Sequence, residues 1–261
     1  RYYNLRHSLK FNMGKLDLVA MREKLVYETF SDYKAKLPEN AKSIGINRTF
    51  LMSTYYPLFY NFFSRLGMRV IRSDKVNSEG IDQVGAPFCY PGEIAHGMFM
   101  DLLNKEPDYI FLPHIRGVPV ENGYVACQAC PLTQCEAFYL RQTFKQIIAN
   151  KKVELITDTL NFMEGIDQSK ETMIKIGKRL GYSKKKVNEA YEFAKGRLEE
   201  MFREFKRRGK ETLEVVEEDP DRIGIVLFGR PYNAFVKEAN MGIPQKFTSR
   251  GLHIIPFDFL P

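Results

Sequence analysis

The chain has 261 residues, of which 44% are hydrophobic and 13% aromatic, so it can bury a sizeable core as a globular protein. Its 39 basic and 32 acidic side chains leave a net charge of +7, which is only weak evidence for nucleic acid. The longest aromatic and apolar stretch, residues 55–63, is too short to span a bilayer, and no signal-peptide pattern opens the chain. We therefore expect a cytoplasmic protein with neither nucleic acid nor a membrane as a partner.

The first predicted elements are a leading helix and a β-α-β unit. Apolar residues recur at helical spacing over residues 15–36. Ile44-Gly-Ile46 then predicts a short strand, residues 51–66 predict a helix ended by Gly67, and residues 68–74 predict the next strand. Two strands joined by a helix in this way are expected to be parallel.

The alternation of strands and helices continues to residue 157. It predicts helices at 77–83, from Pro91 to Leu103 and at 138–150, and strands at 108–112 and 153–157. Loops are predicted at 84–90, which carries Cys89, and at 114–123.

A charged segment separates this unit from a second one. Residues 158–210 predict a short helix to Leu180 and a long helix from Ser183 to Arg208. Residues 222–258 then repeat the earlier order of strand, polar turn, helix and strand. We predict an α/β protein of tandem Rossmann-like parallel-sheet domains with a helical linker, the second domain being truncated. The predicted parts are an N-terminal arm and helix (1–40), a first Rossmann-like domain with a cysteine site (41–157), the helical linker (158–210) and the start of a second α/β domain (211–261).

The cysteines form the most distinctive pattern. Cys127, Cys130 and Cys135 fall within nine residues, and Cys89 precedes a predicted helix whose positive end favours a thiolate. Four thiols of this kind suit a tetrahedral zinc site or an iron–sulfur cluster, because thiolate is a soft ligand. Plain reduced thiols and a disulfide pair stay open as alternatives.

Other candidate residues follow the predicted strands. Open parallel sheets bind ligands beyond the carboxyl ends of their strands, so the loops that carry Cys89 and the other cysteines are expected to meet at one edge. Asn47, Arg48 and His114 lie in such loops of the first unit, and Arg230 follows a strand of the second. We predict that these four side chains contact a ligand or cofactor. His96, on a helix, is expected to be a partly buried histidine with its hydrogen bonds satisfied.

Five segments recur together in chain order and carry a family resemblance. They are Ile44-Gly-Ile-Asn-Arg48, Tyr56-Pro-Leu-Phe59, Phe88-Cys-Tyr-Pro-Gly-Glu-Ile-Ala-His-Gly97, Asp108-Tyr-Ile-Phe-Leu-Pro113 and Phe228-Gly-Arg-Pro-Tyr-Asn233. Together they resemble the DUF2229 region of the large activase-related proteins associated with 2-hydroxyacyl-CoA dehydratases. That region is in turn similar to the dehydratase subunits and to double-cubane cluster proteins.

The resemblance implies tandem Rossmann-like domains that hold an oxygen-sensitive iron–sulfur cluster. It also implies an activase-type ATPase, in the same chain or separate, that supplies low-potential electrons. Cys89 matches the first cluster cysteine of the family pattern, and the second falls among Cys127, Cys130 and Cys135. The related dehydratase subunits take their last cysteine from the second domain, whereas this chain has none after Cys135.

We therefore predict an iron–sulfur component of an ATP-driven, low-potential electron-transfer system of anaerobic metabolism. The expected cofactor is a [4Fe–4S] cluster, with zinc as the alternative, and a CoA thioester is a further candidate ligand. Whether the chain belongs to an acyl-CoA dehydratase or reductase complex is left open, and we expect it to be inactive alone. The rival interpretations are a structural zinc module and a CoA- or ligand-binding α/β module, both without redox activity.

Overall fold

The computed structural model describes residues 13–86, 89–120 and 128–261. These residues form the strands β1 (Ser43–Ile46), β2 (Arg69–Arg72), β3 (Tyr109–Phe111), β4 (His114–Ile115), β5 (Glu154–Ile156), β6 (Thr159–Leu160), β7 (Gly224–Leu227) and β8 (His253–Pro256). The α-helices are α1 (Met13–Leu16), α2 (Leu18–Lys24), α3 (Met52–Leu66), α4 (Ser78–Ile81), α5 (Tyr90–Asn104), α6 (Pro131–Gln134), α7 (Glu136–Thr143), α8 (Lys145–Lys151), α9 (Lys170–Arg179), α10 (Lys184–Glu217), α11 (Pro231–Ala234) and α12 (Ile243–Thr248).

A parallel sheet with the strand order β2-β1-β3-β5 lies at the centre of the first unit. Ile44 of β1 is opposite both Val70 and Tyr109, which fixes the register of three strands. The carboxyl ends of all four strands therefore lie along one edge of the sheet. The short parallel pair β4–β6 continues the chain just past the ends of β3 and β5.

A second, two-stranded sheet pairs β7 with β8, again in parallel. The prediction of a mixed α/β fold built on parallel sheets is confirmed, and so are both β-α-β units. The division into tandem Rossmann-like domains, the truncation of the second and the domain boundaries stay predictions.

Several predicted elements have other bounds than expected. The helix predicted over residues 15–36 ends with a π-helical turn, Leu25–Thr29, where the Ser31 hydroxyl donates to the Val26 carbonyl (2.6 Å). The helix predicted at 138–150 begins earlier and is divided into α7 and α8 around Phe144. The long helix continues to Glu217 rather than Arg208.

Two short elements fall where the sequence predicts only loop or turn. The first is the two-residue strand β4, within the predicted loop at 114–123. The second is α11, which begins directly after Arg230 and has Pro231 in its first turn, a position where proline is favoured. Both are too short to carry a periodic apolar pattern, which is why the sequence did not indicate them.

Helix α10 connects the two sheets through one hydrophobic core. Its buried residues recur every three or four positions, and their stripe packs on α3 and on the C-terminal 3₁₀ turn, Phe257–Phe259. The stripe includes Phe205 and Gly209, and Phe205 stacks on Phe259 with ring centroids 4.5 Å apart. The core that contains them extends from Leu18 to Phe259.

A buried arginine joins the N-terminal helix to the C-terminal end of the described chain. Arg22 is 2% exposed, and its side chain donates to the Ser53 carbonyl (2.7 Å), the Thr54 hydroxyl (2.9 Å) and the Asp258 carboxylate (2.9 Å). Each guanidinium nitrogen has an acceptor, and these hydrogen bonds offset the free energy that burying the charge requires. In the described part of the chain, no helix is both long and apolar enough to cross a membrane.

Candidate functional site

The first cysteine lies at the amino end of α5. Cys89 is the N-cap residue of this helix and has extended backbone angles, with Pro91 in the first turn. Its sulfur lies against that turn: a Cβ placed on Gly92 would be 3.5 Å from the Cys89 sulfur. The thiol is free and half-buried.

Two more cysteines flank the short helix α6. Cys130 is its N-cap residue, and Cys135 joins α6 to α7 and donates its N–H to the Pro131 carbonyl (2.9 Å). The backbone just before Cys130 is held against the loop after β4, where the Ala129 N–H donates to the Arg116 carbonyl (2.8 Å). The Cys130 thiol is half-buried and the Cys135 thiol exposed, and both are free.

Tyr139 lies on α7, one helical turn after Cys135, and its backbone N–H donates to the Cys135 carbonyl (3.2 Å). Burial raises its pKa well above the ordinary range, and negative charge on Glu136, Cys89, Cys135 and Cys130 acts in the same direction.

Packing between α5 and α7 joins the two segments that carry the cysteines. The Tyr139 ring stacks on the His96 ring, with centroids 5.2 Å apart and planes 15° apart. His96 is held in turn by its Nδ1, which donates to the Gly92 carbonyl in the first turn of α5 (2.8 Å). Burial lowers the pKa of His96, so its ring is neutral near pH 7. The expectation of a buried histidine with a hydrogen-bond partner is met.

A buried carboxyl group lies directly after Cys135. The side chain of Glu136 accepts hydrogen bonds at Oε1 from the Asn47 amide (3.1 Å) and from the Thr49 hydroxyl. Burial raises its pKa to about 7, although both hydrogen bonds favour the ionised form. Asn47 also donates to the Ala95 carbonyl (3.4 Å). The loop after β1 thus connects with α5 and α7 at the carboxyl edge of the sheet.

His114 contacts the short helix α6, which lies between Cys130 and Cys135. Its Nδ1 is 2.9 Å from the carbonyl of Gln134, which can only accept, so Nδ1 carries a proton. In the neutral ring, Nε2 then keeps its lone pair and can bind a metal or accept a hydrogen bond. The exposed ring of Phe138 packs beside it, with centroids 4.4 Å apart.

Comparison with known proteins gives one match. A family model described as CoA enzyme activase uncharacterised domain (DUF2229) matches residues 43–260. The chain belongs to this family. The resemblance predicted from the five segments is thereby confirmed. No curated protein and no solved structure matched the chain.

Within this DUF2229 chain, the predicted site residues fall into two groups. In the first group, Cys89, Cys130 and Cys135 are the N-cap residues of α5, α6 and α7. Asn47 and His114 belong with them, because they contact Glu136 and Gln134 beside Cys135. Cys127 lies outside the described residues. Among the residues that the structure describes, no three His, Cys, Asp or Glu side chains are arranged to hold a metal ion.

The two predicted arginines lie elsewhere in the DUF2229 fold. Arg48 is buried and pairs with Glu23 (3.1 Å) and with Glu238, so it joins the loop after β1 to α2 and to the second unit. Arg230 is exposed as the N-cap residue of α11, and its side chain makes no hydrogen bond or ion pair with the described residues. Their predicted role in ligand binding stays a prediction.

Two residues of the DUF2229 site were not singled out from the sequence. From the sequence, Glu136 is a charged residue next to a cysteine, and no pattern in the neighbouring residues predicts that it is buried. Tyr139 follows Cys135 by four residues, which places both on one face of a helix. That spacing could have identified Tyr139 if the helix had been predicted to begin at residue 136.

Proposed function

We propose that this DUF2229 chain binds an iron–sulfur cluster through its cysteine site and passes electrons in a system related to the CoA enzyme activases. The observation that supports the proposal most directly is the packing of α7 on α5, where the Tyr139 ring stacks on the His96 ring with centroids 5.2 Å apart. This contact joins the helix that begins after Cys135 to the helix that begins after Cys89, although the two cysteines are far apart in the chain.

The chemistry of the donor set fits such a cluster. The three described thiols are free. Solvent reaches the site, since Cys130 is half-buried and Cys135 is exposed. Thiolates are the usual ligands of [4Fe–4S] clusters, and Cys127 would be the fourth thiol of the set. Zinc is the alternative metal, since it takes the same ligands.

The surrounding residues would support a negatively charged group. The amino end of α5 presents the positive end of a fifteen-residue helix at Cys89. Glu136 has a pKa of about 7, so it is largely uncharged at slightly acidic pH and adds little repulsion there. Bound iron–sulfur clusters can supply single electrons at very low potential.

An activase-type ATPase, within the same protein or separate, is the proposed electron donor. Two large aromatic side chains beside the thiols are exposed: Tyr90, next to Cys89, is 53% exposed, and Phe138 is 66% exposed. Contiguous exposed apolar patches are typical of surfaces that bind another protein, and we propose that these two side chains belong to the surface where the donor docks. A CoA thioester is the proposed electron acceptor. We also propose that the two β-α-β units represent tandem Rossmann-like domains.

Serine substitutions test the proposal. After anaerobic reconstitution with iron and sulfide, we expect the wild-type chain to bind both. We expect Cys89→Ser, Cys130→Ser and Cys135→Ser each to lose most of the iron, because a serine hydroxyl is a poor ligand for this cluster. Iron and sulfide analysis, with visible absorbance, measures the result.

The matched control is Ala129→Ser, which adds a hydroxyl group beside Cys130 but keeps every thiol. It should bind as much iron and sulfide as the wild type. Stoichiometric, colourless zinc in place of iron would support the zinc alternative. Equal metal content in the wild type and all three cysteine variants would reject a role for these thiols as ligands.

A further inference from the structure

The loop between β1 and α3 holds a bulky residue in a left-handed backbone conformation. Phe50 has a φ of 40° and is 3% exposed. Such angles cost free energy for a residue with a Cβ, and a buried aromatic residue rarely adopts them. The Phe50 carbonyl accepts from the Ser53 N–H (3.0 Å) and hydroxyl (2.7 Å). Its ring packs edge-on against Tyr232 of the second unit, with centroids 5.2 Å apart. Contacts on two sides therefore hold the loop in a strained conformation.

The same loop carries a buried ion pair whose hydrogen bonds are incomplete. The side chain of Arg48 is 6% exposed, and that of its partner Glu238 is 13% exposed. Within the described part of the chain, the Arg48 Nε and the Glu238 Oε2 have no hydrogen-bond partner. Buried polar groups of this kind cost free energy, so they need an explanation in a native protein. The loop therefore contacts the second unit through two unfavourable features, the strained Phe50 and this ion pair.

The loop also holds the start of α7. Asn47 and Thr49 both donate to the buried carboxyl group of Glu136. Arg48 and Phe50, which alternate with them along the chain, contact the second unit instead. Because each residue has only two soft backbone dihedral angles, a change at Phe50 also turns the side chains next to it. A movement of the second unit that let Phe50 relax would thus disturb the hydrogen bonds to Glu136.

We propose that residues 47–50 form a conformational switch that couples the position of the second unit to the conformation of α7. In the state that the structure shows, Tyr232 and Glu238 hold the loop strained, and the loop holds Glu136. In the other state the second unit has moved, Phe50 has ordinary backbone angles and Glu136 is released. Strained residues are found in elements with two states, whose populations shift with small changes in free energy. The inference goes beyond the proposed function, since it does not depend on what the cysteines bind.

Coupling of this kind is reciprocal, so a substitution at either end of the loop should be detected at the other end. Glu238→Gln keeps the size of the side chain but removes the charge that pairs with Arg48. We expect it to speed amide hydrogen exchange about fivefold or more over residues 131–143. We expect Glu136→Ala to have an effect of similar size over residues 231–240. Mass spectrometry of peptides from the metal-free chain measures both rates.

Two controls distinguish coupling from a general loss of stability. Exchange in the central turns of α10 should stay at the wild-type rate in both variants. Glu192→Ala removes an exposed ion pair with Lys170, outside the loop, and should leave both peptides unchanged. Faster exchange only in the peptide that carries the substitution would overturn the inference.

A pair of substitutions at position 50 tests the strain itself. Phe50→Ala and Phe50→Gly both lose the ring and its contact with Tyr232, but only glycine adopts a φ of 40° without cost. The equilibrium constant for unfolding should therefore be about fivefold larger in Phe50→Ala, as measured by urea unfolding. Equal constants, or a more stable alanine variant, would mean that the loop is not strained and would also overturn the inference. Either negative result would leave the proposed iron–sulfur function intact.

Discussion

Alanine at position 209 is expected to destabilise the protein by about 3 kcal/mol. Gly209 lies where α10 crosses the C-terminal 3₁₀ turn, and a methyl carbon there would overlap the Phe259 carbonyl oxygen and lie 2.6 Å from its carbonyl carbon. A backbone carbonyl cannot rotate away as a flexible side chain can, so α10 and this turn would have to separate. Urea unfolding followed by circular dichroism measures the loss.

The same helix provides the control for this prediction. A Cβ placed on Gly196 would have no atom within 4 Å. Alanine is the better helix former, so Gly196→Ala should stabilise the protein by about 0.5–1 kcal/mol. Opposite signs for the two substitutions would show that the close approach at Gly209 determines the result. Equal stability of Gly209→Ala and the wild type would mean that α10 does not pack against Phe259 in this way.

Replacement of Glu136 by glutamine should remove a pH dependence of stability. The pKa of Glu136 is about 7 in the fold against an ordinary value of 4.5, so the folded chain binds more protons between these values. Its contribution to the free energy of unfolding is therefore largest below pH 4.5 and falls as the pH rises to 7. The loss is about 3 kcal/mol, since an ionised carboxylate is then buried.

Glutamine is uncharged at every pH and keeps an oxygen that can accept from Asn47 and Thr49. In the metal-free chain, we expect Glu136→Gln to be more stable than the wild type by about 3 kcal/mol at pH 8 and by less than about 1 kcal/mol at pH 5. Urea unfolding at both pH values measures the difference. Glu189→Gln, on an exposed part of α10, should change stability by less than about 0.5 kcal/mol at either pH. A difference at position 136 that does not vary with pH would contradict the prediction.

Much of the fold follows from local patterns in the sequence. Short apolar runs such as residues 44–46 and 109–111 predicted the strands, and Gly67, which has a left-handed backbone (φ 93°), predicted the end of α3. The rule that ligands bind at the carboxyl edge of parallel strands predicted that the loops of Cys89 and His114 meet near one another. Tyr139 and His96 pack α7 on α5 near that edge, and the meeting of the cysteine side chains stays a prediction.

Other features depend on partners that are far apart in the chain. Arg48 looked like a ligand-binding residue because it follows a strand, yet it pairs with Glu238, 190 positions later. The residues around Arg48 in the sequence give no sign of a partner so far along the chain. The burial of Glu136 likewise depends on Asn47 and Thr49, which reach it only because β1 lies at the centre of the sheet.

The tripeptide Asn47-Arg48-Thr49 has two sets of acidic partners. Its first and third side chains hold Glu136, whereas the middle one pairs with Glu23 and Glu238 on other elements. Because neighbouring residues here contact different elements, a single substitution disturbs one set of contacts, whereas an insertion or deletion disturbs both. Adding one residue here would reverse which side chains face each direction, and would disturb both the hydrogen bonds to Glu136 and the ion pairs of Arg48 in a single step.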